Sequence, residues 1–468
     1  MKLTLIGGGS VRTYYFVESL LKYCERLHIT KLSVMDTDPR KLKYFGALAM
    51  YLAARAPVSP EIELTADLKQ AVLDADFIVT TIRAGNDEAR CQDERIALSH
   101  GLIGQETTGA GGFSYAMRSI PAMLNICEAA RKYANPGAVV FNFTNPSGLV
   151  TQAMRDAGYR VIGICDNATG IKMDLAKALG IGGGEMFVRV YGLNHLSWAD
   201  RVEIGGKNIL PELMANESFI EAFHPFAYFD RGLIRQLGKI PNGYLYYYYH
   251  RERALENMQK SPETRGEAIL RINREMLAAF DKLDVETQLP QMEETFRHYM
   301  GLREGSYMRL ETGGGLHNTM SLDVNALGIP QLRIKGGSPE IYEGYAGVAF
   351  NCIQSMVENK PIDLALNVPN NGAIPGLEDG DVVEVTCMVD KNGVKPVHIG
   401  EIPEDELNLI RLIKRYEKLS VLAAQERSIS LAAQALMQHP LVASYSLAKK
   451  LAVRYAAVNE PYTGAWRH

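Results

Sequence analysis

The sequence carries no marked excess of either charge: 50 lysines and arginines stand against 54 aspartates and glutamates, a formal net charge of −4 over 468 residues. That balance offers no electrostatic footprint for a nucleic acid or an anionic membrane. No apolar run reaches the roughly 18–20 residues that would cross a bilayer. The opening MKLTLIGGGS has six residues before a glycine run, without the basic start and long apolar stretch of a secretory signal, so a cytoplasmic location is expected. Cysteine is scarce: six residues, at 24, 91, 127, 165, 352 and 387, have no CxxC spacing, which leaves zinc ribbons and redox pairs without support. Internal repeats and low-complexity linkers are also missing. What remains is 47% hydrophobic and 22% charged, a composition that excludes disorder and small disulfide scaffolds.

From Lys2 to about Val190 short β-branched apolar runs alternate with longer segments of helical period. This is the βαβ texture of an α/β chain, a Rossmann-like, doubly wound parallel sheet covered by helices. The predicted strands are Leu3–Ile6, Lys31–Met35, Asp76–Thr80, Val139–Phe143 and Arg160–Ile164, and the predicted helices include Tyr14–Leu21 and Ala122–Tyr133. After Gly192 the texture changes. Phe223–Tyr249 is rich in aromatics, Arg251–Leu283 reads as one long charged helix, and Ser306–Gly337 is glycine-rich and irregular. Val382–Asp390 and Val394–Ile399 flank Lys391-Asn392-Gly393, which predicts a hairpin on a type I′ turn. From Glu404 onward the period is helical again, with apolar faces such as Leu431–Met437 and Leu447–Val458. The expected division is residues 1–195 as a dinucleotide-binding domain and 196–468 as an α+β domain for substrate, metal and oligomerisation.

The strongest local signal is Leu5-Ile6-Gly7-Gly8-Gly9-Ser10, a strand that ends in glycines and runs into a helix. Glycine lets backbone approach a pyrophosphate, and a helix N-terminus offers it N–H groups. Asp36 closes the second predicted strand, where an acid holds ribose hydroxyls and repels a 2′-phosphate, so NAD is favoured over NADP. Asn142-Phe143-Thr144-Asn145-Pro146-Ser147-Gly148 leaves the fourth predicted strand at the ligand-binding edge of the sheet, and a capped turn accounts for its asparagines equally well. Cys165 and Asp166 follow the fifth strand, and His195 comes 30 residues after the cysteine. Thiolate and imidazole suit a first-row divalent metal with positions left open for substrate, although each alone is more often a buried structural residue. Among Tyr244, Tyr246, Tyr247, Tyr248 and Tyr249, most are expected to pack with polar tips, and one near a metal has the chemistry of a base. Arg83 and Arg265 are candidates for clamping an anion.

Taken in order, GGGS, Arg83-Ala84-Gly85, GLIGQETTGAGGFSYAMRSIP (101–121), NFTNPSG (142–148), ICD (164–166), YGLNHLSW (191–198), NGYLYYYY (242–249) and NNGAIPGLEDGDVVEV (370–385) resemble glycoside hydrolase family 4 over nearly the whole chain. The resemblance implies a lactate/malate dehydrogenase-like fold, use of NAD and a divalent metal, usually manganese, and hydrolysis of 6-phospho-glucosides outside the two-carboxylate scheme. It implies NAD-dependent oxidation at C3, metal-assisted deprotonation at C2, elimination of the aglycone, addition of water and re-reduction. Residue by residue, Cys165 and His195 hold the metal, Tyr244 removes the C2 proton, Asp166 matches the leaving-group acid of α-acting members, Asn145 contacts the sugar, and Arg265 matches the arginine after that tyrosine. Glu106 supports metal or water in this reading, and a homodimer or homotetramer is implied.

Most blocks resemble the 6-phospho-β-glucosidase branch, while Asp166 stands where that branch carries asparagine and 6-phospho-α-glucosidases carry aspartate. The β-anomer is slightly favoured. Lys335-Gly336-Gly337 replaces an arginine-glycine-glycine block, and an extra segment at about Tyr299–Ile334 precedes it. Ser10-Val11-Arg12-Thr13 replaces a serine-x-threonine arrangement. Two other functions stay open on the residues alone: an NAD-dependent hydroxyacid dehydrogenase of malate-dehydrogenase type, which shares the first domain, and a non-enzymatic sensor of NAD or sugar phosphate.

Overall fold

The computed structural model describes residues 1–305, 308–313 and 346–467. A nine-stranded sheet runs through the molecule in the order β13-β12-β11-β6-β5-β4-β1-β2-β3. Its parallel part is β1 (Lys2–Ile6), β2 (Lys31–Met35), β3 (Glu61–Thr65), β4 (Phe77–Thr80), β5 (Val139–Asn142) and β6 (Val161–Gly163). Leu3, Leu5, Ile6, Ile78, Val79, Val140 and Phe141 are buried, the continuous apolar pattern of strands covered by helices on both faces. The order β3-β2-β1-β4-β5-β6 reverses direction between β1 and β4, and such a switch point opens a crevice at the carboxyl ends of the strands.

A second, four-stranded sheet contains β7 (Met186–Leu193) and β8 (Leu196–Ile204), with β9 (Lys207–Asn208) and β10 (Ile240–Pro241) both paired to the edge of β8 away from β7. The chain then returns to the first sheet: β11 (Ile362–Pro369), β12 (Val382–Asp390) and β13 (Gly393–Pro396) add antiparallel to its β6 edge. The predicted parallel sheet is therefore the larger part of a mixed one, and its edge comes from the C-terminal half of the chain. At the junction Asn367 pairs with Gly163. A Cβ at Gly163 would lie 2.5 Å from Thr151 Oγ1 and 2.6 Å from Asn367 Cβ, so only glycine lets β11 close on β6.

Three local expectations are corrected. The sequence reading missed β3, whose Glu-Ile-Glu-Leu-Thr run is short and partly exposed. The long helix over Arg251–Leu283 is two helices, Arg251–Lys260 and Arg265–Phe280. Pro262 cannot continue the first, and Thr264 and Glu267 form a capping box that starts the second. In the C-terminal hairpin Asp390 pairs directly with Gly393, so the turn is Lys391-Asn392. Gly393 has φ of 109° while Asn392 stays out of the positive region, and the type I′ turn does not form. The C-terminal helices are Glu404–Glu426, Ile429–Gln438 and Tyr445–Thr463. No helix among the described residues is long and apolar enough to cross a membrane.

Gly163→Ala should destabilise the fold by about 1–3 kcal/mol through overpacking of the β6–β11 junction. Urea unfolding at neutral pH checks this, and a change below about 0.5 kcal/mol would mean that the junction relaxes around a methyl group.

Candidate active site

A cavity of about 1000 Å³ opens at the switch point. Gly7, Gly9, Ser10, Asp36, Arg83, Glu106, Asn145, Cys165, Asp166, His195, Tyr244 and Arg265 all line it. Gly8 does not. Its N–H donates to Met35 O at 2.8 Å, and a Cβ there would meet Val34 Cγ1 at 2.2 Å, so it seats the loop against β2.

The first arm of the site follows β1. Gly7 has φ of 102°, and a side chain there would meet the Thr81 carbonyl and hydroxyl at 2.8 Å. The Asp36 carboxylate accepts from Gly9 N at 2.7 Å and from Asp38 N at 2.9 Å, which fixes an acid at the end of β2 beside the glycine turn. Helix Arg12–Tyr23 begins just after. Bare backbone, an adjacent helix start and a held carboxylate suit a dinucleotide.

The second arm joins three loops. After β5, Asn142 Oδ1 accepts from Thr144 N at 3.0 Å and its Nδ2 donates to Thr151 Oγ1 at 3.1 Å. Both asparagines hold the turn, Asn145 Oδ1 accepting from Ser147 N at 3.3 Å, but Asn142 is fully buried and Asn145 is the one that lines the cavity. After β6, Cys165 precedes helix Asp166–Leu179 and Asp166 is its first residue. Between β7 and β8, Asn194-His195 forms the hairpin turn, with His195 at φ of 65°. This turn carries the imidazole to the cysteine: His195 Nε2 lies 3.6 Å from Cys165 Sγ. Burial lowers the His195 pKa to about 4, leaving a neutral ring with a lone pair for a metal at pH 7. Burial, and then the charge of Asp166, pushes the Cys165 thiol up, so a cation is needed to stabilise its thiolate. At 3.6 Å apart, this sulfur and nitrogen are close enough to be ligands of one ion. Among the described residues no cluster of three or more His, Cys, Asp or Glu could hold a metal, so Cys165 and His195 would leave coordination positions to other oxygens.

Tyr244 lies against this pair. Its ring stacks on His195 with centroids 3.8 Å apart and planes 2° from parallel, and its backbone N–H is held by Asn242 Oδ1 at 3.0 Å. The other tyrosines pack as expected. Tyr246 and Tyr247 are fully buried, with hydroxyls donating to Glu311 O at 3.1 Å and Glu311 Oε1 at 3.3 Å. Tyr249 accepts from Trp198 Nε1 at 3.1 Å, and Tyr248 reaches His439 Nε2 at 3.5 Å.

The cavity wall is rich in arginine. Glu106 Oε2 accepts from Arg83 Nη1 at 2.5 Å and lies 3.2 Å from Arg90 Nη1. Burial by itself would raise the Glu106 pKa, but the charges of Arg83 and then Arg90 outweigh it and hold the carboxyl below its ordinary range. Arg265 begins the helix that follows Tyr244 in the site. Arg12 Nη1 stands 3.9 Å from Asp166 Oδ2 at the more exposed rim.

Four contributors escaped the sequence reading. Arg90 pairs with Glu94 at 2.8 Å, and only its four-residue spacing from that acid hinted at it. Arg303, at the end of helix Leu289–Glu304, lies within the extra segment and lines the cavity. Burial, and then the charge of Arg12, lowers its pKa to about 10. The remainder of that segment beyond residues 308–313, with Lys335-Gly336-Gly337, lies outside the described residues. Asn242 was read only as part of the tyrosine block. Glu384, the lone charge in Val382–Met388, accepts three side-chain hydrogen bonds behind the Asn194-His195 turn. Burial pushes its pKa up to about 7 against the pull of those donors.

Glu106→Gln should cost about 1–3 kcal/mol at pH 7, because it removes the carboxylate shared by Arg83 and Arg90 and leaves them only Asp87 and Glu94 as acidic partners. The native pKa is depressed, so the stabilisation is complete above the ordinary value of 4.5 and is lost as pH falls below it. Denaturant titrations of wild type and variant should converge in acid. A gap of equal size at pH 7 and pH 3 would contradict an ionised Glu106.

Comparison with known proteins bears on the chain as a whole. Residues 2–181 match the sequence model described as "Family 4 glycosyl hydrolase", and residues 190–442 match that of the "Family 4 glycosyl hydrolase C-terminal domain". A probable 6-phospho-beta-glucosidase of Bacillus subtilis is 30% identical over 469 residues, covering 96% of this chain and 94% of that protein. The 6-phospho-beta glucosidase of Thermotoga maritima, solved with NAD and glucose-6-phosphate, superimposes with a TM-score of 0.79 at 27% identity over 99% of both chains. A 6-phospho-alpha-glucosidase from gut microorganisms, also solved with NAD and glucose-6-phosphate, gives a TM-score of 0.78 at 25% identity over 100% of both chains. The chain, from its glycine turn to its C-terminal helices, belongs to glycosyl hydrolase family 4.

Proposed function

We propose that this enzyme hydrolyses 6-phospho-glucosides with bound NAD and a divalent metal such as Mn2+, acting on the β-anomer ahead of the α. The observation that carries the reading is the meeting of Cys165, His195 and Tyr244 in the same cavity as the Gly7–Asp36 turn. When bound, NAD supplies a reversible hydride acceptor for the sugar and the metal a Lewis acid for its hydroxyl oxygens.

The chain's own residues do the rest. Gly7, Gly9, Ser10 and Asp36 hold the dinucleotide, with Gly8 supporting their loop, and residues 1–195 form the dinucleotide-binding unit of the proposed division. Cys165 and His195 hold the metal. Tyr244 takes the C2 proton at its Oη. Asn145 orients the sugar, and Arg83 and Arg265 face its anionic group while Glu106 keeps Arg83 in place. Asp166 stands where a leaving-group oxygen would be protonated in an α-elimination. It is the residue that keeps the α-anomer in play, as do relatives of both kinds, among them a maltose-6′-phosphate glucosidase 28% identical over 488 residues.

We further propose a homodimer or homotetramer assembled through residues 196–468. Tyr445, Val453, Leu412 and Leu422 present exposed apolar surface on the C-terminal helices, and light scattering would read the state. Six free cysteines suit a reducing, cytoplasmic compartment.

The test is p-nitrophenol release from α- and β-glucosides, each with and without a 6-phosphate, with NAD and Mn2+ together and with either omitted. Release from the 6-phospho-β-glucoside only when both are present is expected. Silence on all four, together with net NADH formation from a hydroxyacid, would restore the dehydrogenase reading. Cys165→Ser should abolish Mn2+-dependent release while NAD binding persists, and wild-type release would remove the thiol from the site. Tyr244→Phe should slow exchange of the C2 proton with solvent deuterium by about 10²–10⁴-fold. Unchanged exchange would mean that another group is the base.

A further inference from the structure

Behind the cavity, β12 buries a carboxylate in an otherwise apolar run. Burying the Glu384 carboxyl is unfavourable in a way that valine or leucine at the same place would not be, so its position there calls for something an aliphatic side chain cannot do. Its oxygens accept three hydrogen bonds: Asn194 Nδ2 donates to Oε1 at 3.0 Å, Asn367 Nδ2 to Oε1 at 3.3 Å and Ser197 Oγ to Oε2 at 2.9 Å.

Two of these lead directly to the site. Asn194 precedes His195 in the two-residue turn, and its Oδ1 accepts from Gly148 N at 3.4 Å, three residues beyond Asn145. Ser197 accepts on its Oγ from Asn242 Nδ2 at 3.1 Å and on its carbonyl from Asn242 N at 2.9 Å. Asn242 Oδ1 in turn holds the Tyr244 N–H at 3.0 Å. A single carboxylate thus anchors one branch that ends at the imidazole and another that ends at the tyrosine, whose rings stack face to face. The third donor, Asn367, sits at the register point where β11 joins β6, two residues before Cys165. The turn that carries His195 bonds this acceptor through Asn194, and the segment that carries Tyr244 is tied to it through Ser197 and Asn242.

We infer that Glu384 is a positioning residue: through Asn194 it fixes the His195 turn for the metal, and through Ser197 and Asn242 it fixes Tyr244 for proton abstraction. The inference rests on the proposed metal-dependent reaction.

Glu384→Gln keeps the shape but removes the charge and one acceptor oxygen, so the amide cannot accept from Asn194, Asn367 and Ser197 in the carboxylate's arrangement. The experiment measures Mn2+ affinity of the NAD-loaded protein, NAD affinity, the thermal midpoint and C2-proton exchange. In Glu384→Gln, Mn2+ affinity should fall 10–100-fold, the size seen when outer-sphere partners of metal ligands are removed, while NAD affinity stays within about twofold and unfolding remains cooperative. Ser197→Ala removes the hydroxyl link between Glu384 and Asn242, leaving the Asn242 N–Ser197 O bond and the Asn194 branch in place, so C2-proton exchange should slow by about tenfold or more with Mn2+ affinity nearly unchanged. This second variant carries the test if Glu384→Gln does not fold. Mn2+ affinity within twofold of wild type in Glu384→Gln, a parallel loss of NAD and Mn2+ binding, or normal exchange in Ser197→Ala would overturn the inference. A wild-type protein that binds no Mn2+ and exchanges no C2 proton would instead sink the proposed reaction itself, and the positioning role with it.

Discussion

His195 can reach Cys165 only because a two-residue hairpin turn holds a non-glycine residue at φ of 65°. Such a conformation costs on the order of 1–3 kcal/mol and persists only where the surroundings over-determine it. Here they do. Gly192, at φ of 135°, has no room for a Cβ because Leu196 O lies 2.2 Å from where it would stand, and the flanking strands pair at Leu193 and Leu196. The adjacent Asn194 is tied to Glu384, and the imidazole is covered by the Tyr244 ring. A relaxed turn would swing the imidazole away from the sulfur, and the donor pair would no longer fit one ion. Rigid strands on both sides of the turn therefore decide the chemistry more than the identity of any single ligand does.

Burial gives the site its electrical character. The cavity lies between the ends of strands packed on both faces, so charges there interact through little water. The arginines at 83 and 90 are balanced by the carboxylate of Glu106, while Arg303 stays positive at a cost that its lowered pKa registers. The same burial keeps His195 neutral and its lone pair available. One region thus holds a neutral metal-binding edge beside a cationic wall, the combination that an anionic sugar next to a dication calls for.

The fold brings these parts together by an uncommon route. The parallel strands supply the glycine turn, Asp36, Asn145 and Cys165 along one sheet edge, as switch-point geometry requires. The second sheet adds His195. The chain then comes back to the first sheet, so β12 lies behind both and its carboxylate acts on loops far away in sequence. Two halves that share a sheet leave little freedom for a hinge between them.

Much of this was legible in the residues. Alternating apolar runs and helical segments dictate a parallel α/β sheet because the two periodicities admit few other packings, and a glycine turn followed by an acid one strand later specifies a dinucleotide cradle for steric and electrostatic reasons. The block order from GGGS to DGDVVEV resembled a family strongly enough to single out Cys165, Asp166, His195 and Tyr244, all of which line one cavity. Tertiary structure alone decided the rest. That β11–β13 complete the first sheet depends on a close approach at Gly163 that no periodicity encodes. The turn at Lys391-Asn392 was settled by cross-strand register, whereas the helix break at Pro262 was a local signal, a proline and a Thr264–Glu267 capping box, that the sequence already carried. Arg90, Arg303 and Glu384 each look like ordinary surface charges in the sequence. Only folding shows Arg90 and Glu384 buried and Arg303 lining the cavity, because the desolvation and the partners that give them meaning come from segments up to hundreds of residues away.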